Sequence, residues 1–165
     1  LTGGKHDKII AHFHYFSEVI TSFYLTTMSI VKQNSSPEQQ LMRTQKVMTA
    51  LDEWGLSGEQ ILAVLDFPKT QRSRHLAKYR KDTPFPDDKS VTCRVIFLLG
   101  IIDALRTTYP RNLQMGARWM AAPHIRLKNR CPLQAMLEDG ETGVVAVLSE
   151  LDCAYAWELS GSKIN

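Results

Sequence analysis

An all-α fold is what this sequence predicts. Three observations carry the prediction. Apolar residues recur at spacings of three and four, as they must when one face of a helix is buried. No stretch alternates apolar and polar residues for long, which is the signature of a half-buried strand. The periodic segments are also punctuated by residues that start or stop helices. The hydrophobic fraction, 44%, is that of a chain able to bury a core, and the formal net charge is only +3.

Ser36-Pro37-Glu38 offers a cap, a first-turn proline and a first-turn acid, so a helix begins there. Leu41, Val47, Met48 and Leu51 continue it towards Trp54, and Gly55 stops it. Ser57 caps a second helix with Glu59 and Gln60 in its first turn and Ile61, Leu62, Val64 and Leu65 behind them. Asp66-Phe67-Pro68 breaks that helix, because Pro68 disfavours helical backbone at Phe67. Thr70 then caps a third, Gln71 to about Lys81, whose apolar content is thin: Leu76, Ala77 and Tyr79. Thr83 to Pro86 is an extended connector. Asp87 and Asp88 open a long helix with Val91, Val95, Leu98, Leu99, Ile102 and Leu105 as its stripe, ending near Tyr109-Pro110. Asn112 caps the next, with Leu113, Met115, Trp119 and Met120. Ala121 to Cys131 is a loop, Pro132 restarts helix through Leu137, and Asp139-Gly140 breaks it. Thr142 caps the last helix, which carries Val144, Val147, Leu148 and Leu151.

Charge is unevenly spread along these elements. Lys69, Arg72, Arg74, Lys78, Arg80 and Lys81, with His75 among them, fall between residues 69 and 81, where no acid occurs. From Pro132 to Asn165 the balance reverses, with six acids (Glu138, Asp139, Glu141, Glu150, Asp152 and Glu158) against Lys163. The two parts therefore suit different partners. A short apolar helix, a tight break and a cationic helix, Trp54 to Arg80, read as a helix-turn-helix facing double-stranded DNA. In that reading Gln71 and Arg72 reach base edges, Lys69, Arg74, Lys78 and Arg80 hold phosphates, and Thr70 and His75 flank them. One such helix contacts few bases, so a homodimer is expected. The bland alternative is a solvated charged face.

The remaining features narrow the function classes. Cys93, Cys131 and Cys153 are an odd number of widely spaced cysteines without a C-x-x-C pair, which argues for a reducing cytoplasm. No apolar run approaches the roughly 20 residues that span a bilayer, so no membrane partner is expected. His12 and His14 lie on different faces of either a strand or a helix and make a poor metal pair. No Gly-rich phosphate loop and no H-E-x-x-H occurs. The expectation is a protein that is not an enzyme, with no catalytic residue, metal or cofactor. Met28 reads as a natural start, with residues 1–27 as an extension, native or added.

The stretch from Trp119 to Leu151 carries a family pattern: Trp119, Pro123, Leu127, then Pro132, Leu133 and Leu137, then Gly143, Val147 and Leu151. In order and spacing it resembles the C-terminal toxin-binding domain of Xre/MbcA/ParS-type antitoxins. Gln40 to Tyr109 looks like the family's Xre-like helix-turn-helix. The resemblance implies an Xre-like helix-turn-helix core (37–109) after an N-terminal extension (1–36), then a small helical toxin-binding module (110–158) and a tail (159–165). It also implies a type II antitoxin that occludes a RES-domain, NAD-consuming toxin and represses its own operon by binding operator DNA. Toxin contact is then expected from the loop residues Pro123, His124, Arg126, Lys128 and Arg130, and from Tyr155 and Trp157 near the end. This sequence departs from the family pattern in several places. His124 stands where Asn is usual, Lys128-Asn129 where Gly is usual, Asp66 near the turn Gly, and Arg72 at a position often apolar. The ending lacks the usual Glu-His/Tyr-Gly. The alternatives are a solitary DNA-binding regulator without a toxin and a protein-interaction adaptor that never meets DNA.

Overall fold

The structure is a computed structural model that describes residues 36–160, with the backbone alone for Leu113 and residues 153–160. The expectations for residues 1–27, Met28, the histidine pair and the tail from residue 161 therefore lie outside the described residues. Within them the chain is all-α, with seven α-helices and no strand. The described residues cluster as one compact unit.

The capping chemistry read from the sequence is what starts these helices. In α1 (Pro37–Glu53) the Ser36 hydroxyl accepts from the Gln39 N–H. Gly55, at φ +78°, ends it, and the Leu56 N–H returns to the Leu51 carbonyl at 3.2 Å. In α2 (Gly58–Val64), Ser57 and Gln60 satisfy each other's backbone N–H groups as a capping box. The same type of ending follows. Asp66 takes the left-handed backbone at φ +54°, and the Phe67 N–H reaches the Leu62 carbonyl at 3.0 Å. Asp66 also accepts a hydrogen bond from the Ser90 hydroxyl, which ties the turn to the next long helix.

The third helix is shorter than expected. The Gln71 N–H closes a turn on the Pro68 carbonyl at 2.8 Å, and Arg72 is extended at φ −109°. A tight 3-10 turn, Ser73–His75, leads into α3 (Leu76–Lys81), so Thr70, Gln71 and Arg72 precede the helix instead of opening it. The cause is tertiary. Gly58 approaches Ser73 so closely that a Cβ there would stand 2.7 Å from the Ser73 Cβ, which fixes where the chain re-enters helix. Leu76 and Tyr79 face inward, and Tyr79 packs with Phe67 and Phe85 at ring-centroid distances of 5.6 and 5.2 Å. The connector is held by the Phe85 N–H on the Thr44 hydroxyl.

Asp88 caps the central helix α4 (Lys89–Thr108), accepting from the Ser90 and Val91 N–H groups. Its buried side chains include Phe97 and Ile101 beyond the expected stripe, because α1 packs on one side of it and the final helix on another. Asn112 caps α5 (Leu113–Ala121), as expected. A second 3-10 turn, Ile125–Leu127, leads to α6 (Pro132–Glu138) and α7 (Glu141–Ser160). α7 begins one residue before Thr142, whose hydroxyl donates to the Asp139 carbonyl from inside the first turn. Val144, Val147, Leu148 and Leu151 of α7 are buried against α4 and α6. Among the described residues no helix is long and apolar enough to cross a membrane.

Candidate functional site

Two surfaces gather the chemically distinctive residues. The first lies on the turn after α2 and on α3. Lys69, Thr70, Arg72, Arg74, His75, Lys78, Arg80 and Lys81 are exposed, while Gln71 is half-buried with its amide donating towards the Tyr79 hydroxyl at 3.4 Å. Lys78 sits 4.9 Å from the Tyr79 ring centroid and leaves its charge at the surface. Arg74 donates to the His75 imidazole at 3.3 Å. Arg80 differs from its neighbours. Its guanidinium makes a double hydrogen bond to Asp52 at 2.7 and 2.8 Å, which pushes its pKa further up. Charge counting in sequence placed Arg80 with the free cations, but this fork is committed within the fold.

The second surface is the loop from α5 to α6. His124 bends back under α5, its ring 4.3 Å from that of Trp119 and its Nε2 3.1 Å from the Trp119 carbonyl. The His124 N–H donates to the Arg130 carbonyl in an isolated antiparallel bridge that closes the loop at its base. Leu127, 3% exposed, plugs the interior. Lys128 and Asn129 then both adopt φ +59°. Glycine takes that backbone freely; lysine does so at a cost of about 1 kcal/mol, and asparagine at less.

Arg130 holds the loop shut. It donates to the Leu127 carbonyl, to Glu138 at 2.9 Å and to both carboxylate oxygens of Asp139. These bonds raise the Arg130 pKa. Asp139 is lowered chiefly by Arg130, and Glu138 by Gln134 and then Arg130. Arg130 is thus turned inward onto α6, unlike its expected place among exposed contact residues. Pro123, Arg126 and Lys128 do face solvent. Tyr155 and Trp157 fall on α7, but their side chains lie outside the described residues.

Sequence reasoning passed over one group on this surface, Ile125, and read another, Glu150, as part of a solvated acidic face. Ile125, at the tip, is 87% exposed. Its only sequence signal is an apolar residue between His124 and Arg126 with no helical partner. Glu150 of α7 lies behind the loop, with one oxygen buried and without a hydrogen bond. Arg126 stands 3.7 Å from that oxygen, near enough to pair but too far to donate.

Burial raises the Glu150 pKa, and the Arg126 and His124 charges only partly oppose it. A carboxyl whose pKa is raised by folding weakens the fold above that pKa and ceases to do so as pH falls through it. Glu150→Gln should therefore melt higher than the wild type at pH 8, by roughly 1 kcal/mol or less. The advantage should shrink at pH 5; a variant that melts lower at pH 8 would show that the Arg126 pair outweighs burial. Among the described residues no three His, Cys, Asp or Glu side chains come together as a metal site requires.

The loop is closed on itself, tied to α6 through Arg130, and its 3-10 turn lies against α7. Residues 104–154, from the end of α4 into α7, match the antitoxin Xre/MbcA/ParS C-terminal toxin-binding domain. That span is similar to the toxin-binding domain of that antitoxin family, in keeping with the resemblance carried by the Trp119–Leu151 pattern. No curated protein matches the chain.

Proposed function

We propose that this protein is a type II antitoxin that binds and occludes a RES-domain, NAD-consuming toxin. The observation that carries the reading is the match of residues 104–154 to a toxin-binding domain, whose loop presents Pro123, Arg126 and Lys128 to solvent. The module covers the entrance to the toxin's active site. The NAD chemistry belongs to the toxin, and this chain is a regulator, not an enzyme. Its second activity is repression of its own operon in a bacterial cytoplasm. A homodimer sets two copies of the α2–turn–α3 unit on operator DNA as helix-turn-helix motifs, with Lys69, Thr70, Arg72, Arg74, His75 and Lys78 on the DNA side. The exposed cations of that unit also fit the second reading, a DNA-binding regulator without a toxin.

Co-expression with a RES-domain protein encoded beside this chain tests the first activity. Growth arrest by that protein alone, relieved by the full chain, is the expected result. Relief that persists after removal of residues 152–165 would place occlusion on the loop and not on the tail. Arrest that the full chain leaves untouched would sink the antitoxin reading and leave the regulator.

A further inference from the structure

Among the exposed large apolar side chains of the described residues, Ile125 stands out at 87% exposure, against 69% for Met42 and 37% for Met115. Exposing a lone apolar side chain is ordinary. Exposing it at the tip of a loop closed this thoroughly is not. On one side His124 is fixed to Trp119 and bridged to Arg130, and on the other Leu127 is buried. Below, Arg130 is clamped to Glu138 and Asp139. The loop also accepts two successive left-handed residues, Lys128 and Asn129, to make its turn.

That backbone expense holds the Ile125 side chain outward. A β-branched side chain on a fixed backbone has little rotamer freedom left to lose when it docks. An apolar group so held has the character of an interface hot spot, where a preorganised anchor fills a desolvated pocket. Its flanks are cationic, Arg126 being half-exposed beside its Glu150 partner and Lys128 open to water.

We infer that Ile125 is the apolar anchor of the toxin contact, and that it enters an apolar socket on the toxin whose rim bears carboxylates facing Arg126 and Lys128. The inference deepens the antitoxin reading and rests on it. Arg130 is then a positioning residue that holds the anchor outward without touching the toxin.

The test is calorimetric titration of the RES-domain protein encoded beside this chain with full-length wild type, Ile125→Val and Ile125→Asp. Ile125→Asp should weaken binding about 30-fold or more, and Ile125→Val only a few-fold. Both should melt as the wild type does, since the side chain is 87% exposed. Equal binding by Ile125→Asp and wild type would overturn the anchor while leaving the antitoxin reading intact. No binding by wild type would overturn both.

Discussion

Gly143→Ala should cost this fold about 3 kcal/mol or more, the upper range of overpacking penalties. A Cβ at residue 143 would stand 2.0 Å from the Ala135 carbonyl oxygen, 2.7 Å from its carbon and 3.1 Å from the Met136 Cα. All three are backbone atoms of α6, so no side-chain rotamer relieves the clash. The first turn of α7 must lift away instead, drawing Val144 and Val147, both 0% exposed, out of the core. It would also displace Asp139, at the end of α6, on which the Arg130 clamp depends.

Thermal denaturation should show the melting temperature falling by roughly 10 °C. On the proposed antitoxin reading, toxin binding should fail with it, because the loop loses its fixed backing. Gly116→Ala is the control. There the nearest atoms are Leu105 side-chain carbons at 3.7 Å and beyond, an ordinary contact, and alanine favours helix over glycine by up to about 1 kcal/mol. That variant should melt at or above the wild type. If both variants melt together, the close crossing of α6 and α7 does not hold the module.

What was legible in the sequence was local. Ser36, Ser57, Asp88 and Asn112 each cap the helix assigned to them, because a capping hydrogen bond spans only two or three residues. Asp66 was legible as a turn residue for the same reason, and it takes the left-handed backbone that the turn needs. What stayed hidden depended on contacts between distant residues. The start of α3 is fixed by the approach of Gly58 to Ser73. The burial of Phe97 and Ile101 follows from packing on two sides of α4, which a one-faced stripe does not anticipate. Arg80 reads as a free cation until Asp52, 28 residues earlier, is seen to take its fork. Arg130 reads as an exposed base until α6 folds back and brings Glu138 and Asp139 to it. Composition reports how many charges a segment carries; only the fold reports which are already paired.

That distinction yields a prediction about DNA with a large expected effect. Lys69, Arg72 and Lys78 are exposed, and among the described residues no ion pair engages them. Arg80 lies on the same short segment but is held by Asp52, with the two side chains 39% and 40% exposed. If this surface binds the operator, affinity comes largely from counterions released as cations meet phosphates, at about 0.9 units of salt slope per phosphate. Changing Lys69, Arg72 and Lys78 together to Ala should therefore lower the log–log salt slope for the chain's own promoter duplex by about 2 to 3. Affinity near physiological salt should fall by roughly 100-fold or more. Such surface changes should leave stability within about 0.5 kcal/mol. Arg80→Ala should do the reverse, losing up to about 1 kcal/mol of stability as a partly exposed pair is broken, with a much smaller change in slope. A triple variant that binds the duplex with undiminished slope would remove this face from DNA altogether. It would leave the cations to a protein surface, and the chain to the adaptor role.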